Sequence, residues 1–388
     1  MKHLALFVML VFIVSLGAIS SAGLLSLSFE TSATTHAMGG YNTTVGNAWN
    51  SDPLMSYTNP ALAAFQEGFS YSVIKYKWLP DVTDDDYYYH AAFAVIGYKG
   101  IALSLPALNQ NSDWGIYMDF GGQEQTGPAG NSLGTCHSYD SYKAYGLAIN
   151  PLETYREFAD NPPPLLKHFD LAMGLSYIDI DSFLTPPISS SSDSDGEAHT
   201  SIYNLGLLAK ANYRFGDYLN AEASFGLTRF NPENKKVSYK VSYIEDMYAH
   251  PIVRYRNTGF GVFCSVPMEL IRDYLPTEYM FTDNLISLKW LQGQQDPLFG
   301  YEDEITTGNG MELGLLDTIY LRHGHYDDEE GHITGDTKGF GIKLHYKDYF
   351  AIRYNQASFP GGELVKKHES YDMGVNVNFL KLMEAIRN

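Results

Sequence analysis

The densest group of side chains able to hold a metal ion is His323, His325, Asp327, Asp328, Glu329, Glu330 and His332. It mixes carboxylate oxygens with imidazole nitrogens, a donor set suited to divalent ions. The spacing matches neither an EF-hand loop nor a zinc motif, so the run reads as an acidic, solvated hairpin loop. Asp81, Asp84, Asp85 and Asp86 pose the same choice between a calcium site near lipopolysaccharide and a plain loop, and the loop is the simpler reading. No metal and no cofactor is expected.

Catalytic constellations are equally sparse. The chain has no H-E-x-x-H helix and no P-loop, and His368-Glu369 lacks the second histidine of a zincin. An enzyme is therefore not expected. A formal charge of -19, from 26 basic and 45 acidic residues, argues against a nucleic-acid partner, because phosphate neutralisation needs clustered Lys and Arg. Two cysteines, Cys136 and Cys264, cannot form a disulfide framework. One bridge between them stays open, although Cys264 lies in a strand pattern and reads as a small buried or lipid-facing hydrophobe.

The elements that carry these residues begin with an export signal. Lys2 and His3 precede an apolar run from Leu4 to Val14, and Ser20-Ser21-Ala22 reads as a cleavage site before Gly23. The run is shorter than the roughly 20 residues of a spanning helix. After residue 22 no stretch of that kind recurs, so entry into a membrane would require a closed barrel, which satisfies every backbone hydrogen bond in lipid.

Period-two alternation supports that architecture. From Phe169 to Tyr177 the odd positions are Phe, Leu, Met, Leu and Tyr, and the even positions are Asp, Ala, Gly and Ser. Tyr203 to Phe215 and Leu219 to Thr228 repeat the pattern across a turn at Gly216-Asp217, which predicts a hairpin. On its polar faces Lys210, Arg214, Asn220 and Glu222 are candidates to line a lumen, as ligand contacts or as structural ion pairs. Eleven further segments, from Phe69 to Trp78 through Tyr371 to Phe379, bring the expectation to about fourteen strands. Short connections at Lys99, Gly216 and Lys347-Asp348 alternate with long polar ones, notably Asn109 to Asp140 and Ser189 to Glu197. Tyr and Trp near segment ends, as at Tyr76, Trp78 and Tyr87 to Tyr89, suit interfacial girdles. The fold class expected is all-β: a transmembrane antiparallel barrel, with a soluble β-sandwich or propeller as the alternative.

Ahead of the first strand stand His36-Ala37-Met38-Gly39-Gly40, then Asp52, then Tyr57-Thr58-Asn59-Pro60-Ala61. This order of a Gly-Gly step, an acidic residue and Asn-Pro-Ala resembles the PorV/PorQ family of outer-membrane barrels, related to FadL-type transporters. Gly339 to Ile342, Tyr349 to Tyr354, Pro360-Gly361-Gly362 and His368 look like that family's closing strands. Leu62 stands where a glycine often follows the motif, and Leu380 to Asn388 extend past the last alternating strand.

The resemblance implies a signal peptide at 1–22, a plug-like segment at 23–66 carrying Met38, Gly39, Gly40, Asp52, Tyr57, Asn59, Pro60 and Ala61, a barrel at 67–380 and a tail at 381–388. It implies an accessory role in protein export to the surface of a Gram-negative cell, of the type IX secretion kind, with secretion proteins as partners. The alternatives are a FadL-like transporter of a hydrophobic ligand and a soluble secreted binding protein. Outer-membrane lipid and lipopolysaccharide are the expected surroundings of a barrel.

Overall fold

The computed structural model describes residues 24–40, 52–77, 87–126, 132–183, 196–240, 249–274, 282–299, 305–328, 332–346, 349–361, 365 and 367–387. The signal segment and Asp81 to Asp86 lie outside these residues. The strands are β1 Gly68–Lys77, β2 Tyr88–Tyr98, β3 Ile101–Pro106, β4 Ile116–Thr126, β5 Ser132–Ile149, β6 Phe169–Phe183, β7 Glu197–Phe215, β8 Leu219–Phe230 and β9 Lys236–Ser238. They continue with β10 Ala249–Pro251, β11 Arg254–Pro267, β12 Asn284–Phe299, β13 Thr306–Leu315, β14 Ile319–Asp328, β15 Ile333–Tyr346, β16 Phe350–Pro360 and β17 Lys367–Val377.

All but β9 and β10 join one antiparallel sheet that closes on itself, because β1 pairs with β17 on one side and with β2 on the other. β3 and β4 share one position in the ring: both pair with β2 and both pair with β5. The result is a closed 14-strand barrel. Closure leaves no unpaired edge, the condition for a β structure in hydrocarbon.

Alternation decides which face is which. On β6, Leu171, Met173 and Leu175 are exposed on the outside, while Ala172 and Ser176 are buried inside. Their outward neighbours across the ladder are Ala209, Leu207 and Leu205, so the apolar side chains form rows around the wall. Phe225, Phe260, Leu288, Leu313, Leu321, Phe340 and Ile352 continue the outer band on later strands. Cys264, a free thiol, follows Val262 on the outer face of β11. No described helix is long and apolar enough to cross a membrane.

One end of the barrel carries tight turns, such as Lys99-Gly100, where Lys99 and Gly100 both take positive φ, and Leu316-Asp317, both likewise at positive φ. At the opposite end β9 and β10 form a small hairpin whose Val237 joins the barrel's buried core, as do Ile252 and Val253 just after it. The fourteen expected segments all fall on barrel strands, but two connections differ from expectation. Asn109 to Asp140 is not one long loop, since it holds β4 and the first half of β5. The histidine and acidic run at 323–328 is not a loop either, because β14 extends through Asp328 and pairs with β15 to its end. Both runs are polar because they stand beyond the apolar band, where strand residues meet water.

The chain before β1 sits inside the ring. Helix α1, Ala33–Ala37, packs on β14 to β17, and the 3-10 helix Pro60–Phe65 packs on β2, β3, β5, β6 and β7. Between them lies the short helix α2, Met55–Thr58. At the tight-turn end α3, Pro151–Phe158, joins β5 to β6, and α4, Phe379–Arg387, follows β17 with Lys381 N donating to the Asn378 side chain at 3.2 Å.

Candidate functional site: the barrel lumen

Two halves of the N-terminal segment are seated by two patches of wall glycine. Met38-Gly39-Gly40 leaves α1 with φ of +87° at Gly39 and +72° at Gly40, conformations that a side chain would strain. This turn lets Gly40 N reach the Thr35 carbonyl at 2.8 Å, satisfying the helix end. It lies on Gly308, Gly310 and Gly324, where an added Cβ would overlap the backbone of Gly39, Met38 or Asn309. Gly174 and Gly206 play the same part for Asn59-Pro60-Ala61: a Cβ at either would overlap the Pro60-Ala61 backbone or the Asn59 side chain. Asn59 caps the 3-10 helix through Ala61 N at 3.1 Å, with Pro60 at its first position. Asn204 holds the end of α2 before it, donating to the Tyr57 and Thr58 carbonyls at 2.8 and 3.1 Å.

Asp52 supplies the polar anchor. Its carboxylate pairs with Arg353 of β16, accepts from Ser32 Oγ at 2.9 Å and from Leu54 N at 3.0 Å. Arg353 also donates to Ser72 of β1. Asp372 of β17 accepts from Ala33 N at 2.9 Å, at the start of α1, and from Asn355 at 2.7 Å. Asn355 accepts from Arg322 at 2.9 Å, and Arg322 pairs with Glu312 at 2.6 Å, which also pairs with Lys289 at 3.2 Å. Buried charges are tolerated only when paired and bonded in this way.

The expected lumen residues separate by height. Lys210 and Glu222 face the lumen and pair at 3.1 Å with side chains 5% and 11% exposed. The Lys210 ammonium lies 4.6 Å from the Phe65 ring centre, over the end of the 3-10 helix. Arg214 is 47% exposed at the tight-turn rim, where it pairs with Glu269 at 2.6 Å and Asp217 at 3.5 Å. Asn220 lies opposite Arg214 in the ladder and is half-buried. His323 and His325 stand on the outer face of β14, and His325 meets Asp336 at 3.2 Å. Among the described residues no three His, Cys, Asp or Glu side chains form a metal site. A G-x-S-x-G pattern spans Gly130 to Gly134, but Ser132 begins strand β5, whereas a nucleophile elbow places its serine between a strand and a helix.

Two features lie beyond those expectations. The first is a lumen cavity of about 130 Å³ lined by Phe29, His36, Tyr76, Tyr326, Phe359 and His368, with Glu30 at its side. His36 stacks on Phe359 at 4.2 Å between ring centres, and Phe359 stacks on His368 at 5.0 Å. Burial, together with nearby His368, lowers the His36 pKa to about 3, so that imidazole is neutral in use. The six lining residues are scattered over the segment, β1, β14, β16 and β17, and only closure brings them together.

The second is a gap in the ladder on the β5 side of one stave, while its β2 side stays continuous: Ala107 N donates to the Ala92 carbonyl and Ala92 N to the Gly115 carbonyl, each at 3.0 Å. β3 pairs with β5 up to Ser104↔Gly146, and β4 resumes at Ile116↔Tyr142. Residues 105–115 intervene on one side against only Lys143, Ala144 and Tyr145 on the other. The excess chain loops outward, with Leu108 bridging Trp114 and both exposed. It is fastened to the outer wall by Tyr71, which donates to the Leu108 carbonyl at 2.8 Å, and by Ala107 packing on Val73 and Ala92. Inside, the N-terminal segment bonds both edges of the gap: Ser56 meets Ser104 at 2.8 Å, and Ser26 donates to Asp140 at 2.7 Å while also bonding Tyr142. A single buried apolar cluster runs from Tyr76 at the cavity, through Tyr89 and Leu27, to Ile116 and Tyr142 at the gap. The sequence signal for the gap is the polar run Asn109 to Asp113 breaking an apolar strand just after Pro106.

No protein-family model matches the chain, and no curated protein matches it. Solved structures with a similar fold include a Pseudomonas aeruginosa FadL homologue, 10% identical over 91% of this chain and 99% of that one, TM-score 0.43. The Pseudomonas putida toluene transporter TodX is 11% identical over 91% and 99%, TM-score 0.42. The Ralstonia pickettii toluene transporter TbuX is 10% identical over 88% and 96%, TM-score 0.38.

Proposed function

We propose that the chain is an outer-membrane transporter of FadL-like type, carrying a neutral hydrophobic molecule about the size of one aromatic ring. The observation that carries this reading is the interruption of the ladder to β5 at residues 105–115, bonded on its inner side by Ser26 and Ser56 and joined to the aromatic cavity by one apolar cluster. The cavity, at about 130 Å³, is close to the roughly 150 Å³ that admits benzene in an engineered apolar site. Its lining is mostly aromatic, with the His36 and His368 imidazoles, Thr337 and the Glu30 carboxylate as its polar groups, which suits an aromatic guest. In this reading the segment at 23–66 acts as a plug, and its shift away from Ser104 and Asp140 opens a sideways exit into the bilayer.

The same barrel serving protein export remains the reading that the PorV/PorQ resemblance of Gly39-Gly40, Asp52 and Asn59-Pro60-Ala61 suggests, with secretion proteins as partners. Deleting the gene and comparing surface-exposed secreted proteins with uptake of a labelled aromatic hydrocarbon separates the two. Transport predicts normal secretion and lost uptake. Normal uptake with lost secretion rejects transport in favour of export.

A further inference from the structure

The lumen cavity is aromatic on its faces and polar at a few fixed points, and the bonds those points already make decide what a guest can offer them. Thr337 donates its hydroxyl hydrogen to the Ala37 carbonyl at 2.9 Å. His36 has Ser370 Oγ 3.0 Å from its Nδ1 and the Glu30 backbone as a second partner. Both groups are engaged with the protein itself.

His368 differs. It lines the cavity and is only 8% exposed. Its Nδ1 lies 3.3 Å from the Lys77 carbonyl, which can only accept, so Nδ1 carries a hydrogen. In the neutral ring that leaves Nε2 as a bare acceptor. Among the described residues Nε2 has no hydrogen-bond partner. A buried acceptor left without a donor costs free energy, which a hydrogen bond from a ligand restores. Phe359 covers one face of the imidazole with the two planes 20° apart, and this stacking holds the ring's orientation.

Glu30 sets the sign of charge the cavity tolerates. Its carboxylate is buried at the cavity's side and accepts from Thr58 Oγ1 at 3.4 Å. An anionic guest would bring a second negative charge beside it, in surroundings where water screens little.

We propose that the cavity selects single-ring aromatics bearing a hydroxyl, the phenol class, with the guest O–H donating to His368 Nε2 and the guest ring packed among Phe29, Tyr76, Tyr326 and Phe359. This selection rests on the transport reading above and narrows its guest. A phenol is uncharged at neutral pH, since a phenolic hydroxyl such as that of tyrosine ionises at about 10. It also supplies the donor that a plain aromatic hydrocarbon lacks.

The test is equilibrium dialysis of the full-length mature protein in detergent against phenol, anisole, toluene, benzoate and benzylamine, with protein-free micelles subtracted. Phenol and anisole both carry an oxygen on the ring, but only phenol can donate from it. Phenol should bind about tenfold more tightly than anisole, the effect of one buried hydrogen bond. Benzoate should not bind, and benzylamine should bind more weakly than phenol. His368→Phe keeps a ring against Phe359 and removes the acceptor, so phenol affinity should fall about tenfold while toluene affinity changes by less than about twofold. The comparison of phenol with anisole needs no variant, and it decides the matter if His368→Phe folds poorly.

Equal binding of phenol and anisole, or an unchanged ratio of phenol to toluene in His368→Phe, overturns the selection and leaves transport standing. Tighter binding of benzylamine or benzoate than of phenol overturns it as well. Binding of none of the five compounds removes the transport reading together with it.

Discussion

The two walls of the lumen are built from different materials. Strands β12 to β17 present Lys289, Glu312, Arg322, Arg353 and Asp372 to the interior, linked by hydrogen bonds to one another and to Asp52. Strands β2 to β11, away from the tight-turn end, present Phe93, Ile116, Tyr142, Ile180, Ile202 and Phe230, packed on Leu27 and Tyr57. The same N-terminal segment touches both. Directional bonds on the charged side fix its position, because a displaced partner leaves a buried charge unpaired. The apolar side is held mainly by non-directional packing, with Ser26–Asp140, Ser56–Ser104 and Asn204 to the Tyr57 and Thr58 carbonyls as its directional contacts. One segment is thus anchored and yet able to yield: it is held at β16 and β17 and can give way toward the interrupted ladder beside β5.

The anchored side depends most on Arg353. Arg353→Ala should cost about 3–5 kcal/mol, the range for stripping one partner from a buried pair. Thermal unfolding in detergent measures it, and adding Asp52→Ala should recover part of the loss if the two form one unit. Next in size, Gly206→Leu pushes a side chain into Asn59 and Pro60. Overpacking of this kind should cost about 1–3 kcal/mol and raise protease cleavage within residues 52–66.

A subtler change sharpens the contrast on the yielding side. Ser26→Ala removes a donor to Asp140 and should cost about 1 kcal/mol locally. Hydrogen exchange at residues 24–30 should quicken and hydrocarbon uptake should rise, whereas Ser32→Ala on the anchored side should not speed uptake.

A pH-dependent effect lies outside the membrane, at Glu153 of α3. Burial, then Asp170 and Glu67, raise its pKa from 4.5 to about 7. The folded protein thus holds this proton more tightly than the unfolded chain does. Its contribution to stability falls as pH rises from 4.5 through about 7. Glu153→Gln should flatten the dependence of melting temperature on pH in that window.

Much of the barrel was legible because lipid enforces strict alternation, as in Phe169 to Tyr177, where each outward residue must be apolar whatever its neighbours. That rule lapses beyond the bilayer, so β14 past Tyr326 and the whole of β4 read as loops. The seating of the Gly39-Gly40 and Asn59-Pro60-Ala61 motifs was not legible. Its cause lies in Gly308, Gly310, Gly174 and Gly206, far along the chain, and each of these looks in sequence like any other small residue on a polar face. Arg353 and Asp372 were hidden for the same reason: an inward charge on a strand looks alike whether it meets water or a buried carboxylate. The gap required comparing two registers on β5, which only paired strands reveal.

In the proposed transport, a hydrophobic molecule leaves where the third stave's ladder to β5 is interrupted. Replacing residues 105–115 by a short run that continues the ladder opposite Lys143 to Tyr145 would join β3 to β4 without touching the cavity. Uptake of a labelled aromatic hydrocarbon into vesicles bearing this folded variant should fall to the level of protein-free vesicles. Uptake equal to that of the unaltered protein would contradict the account.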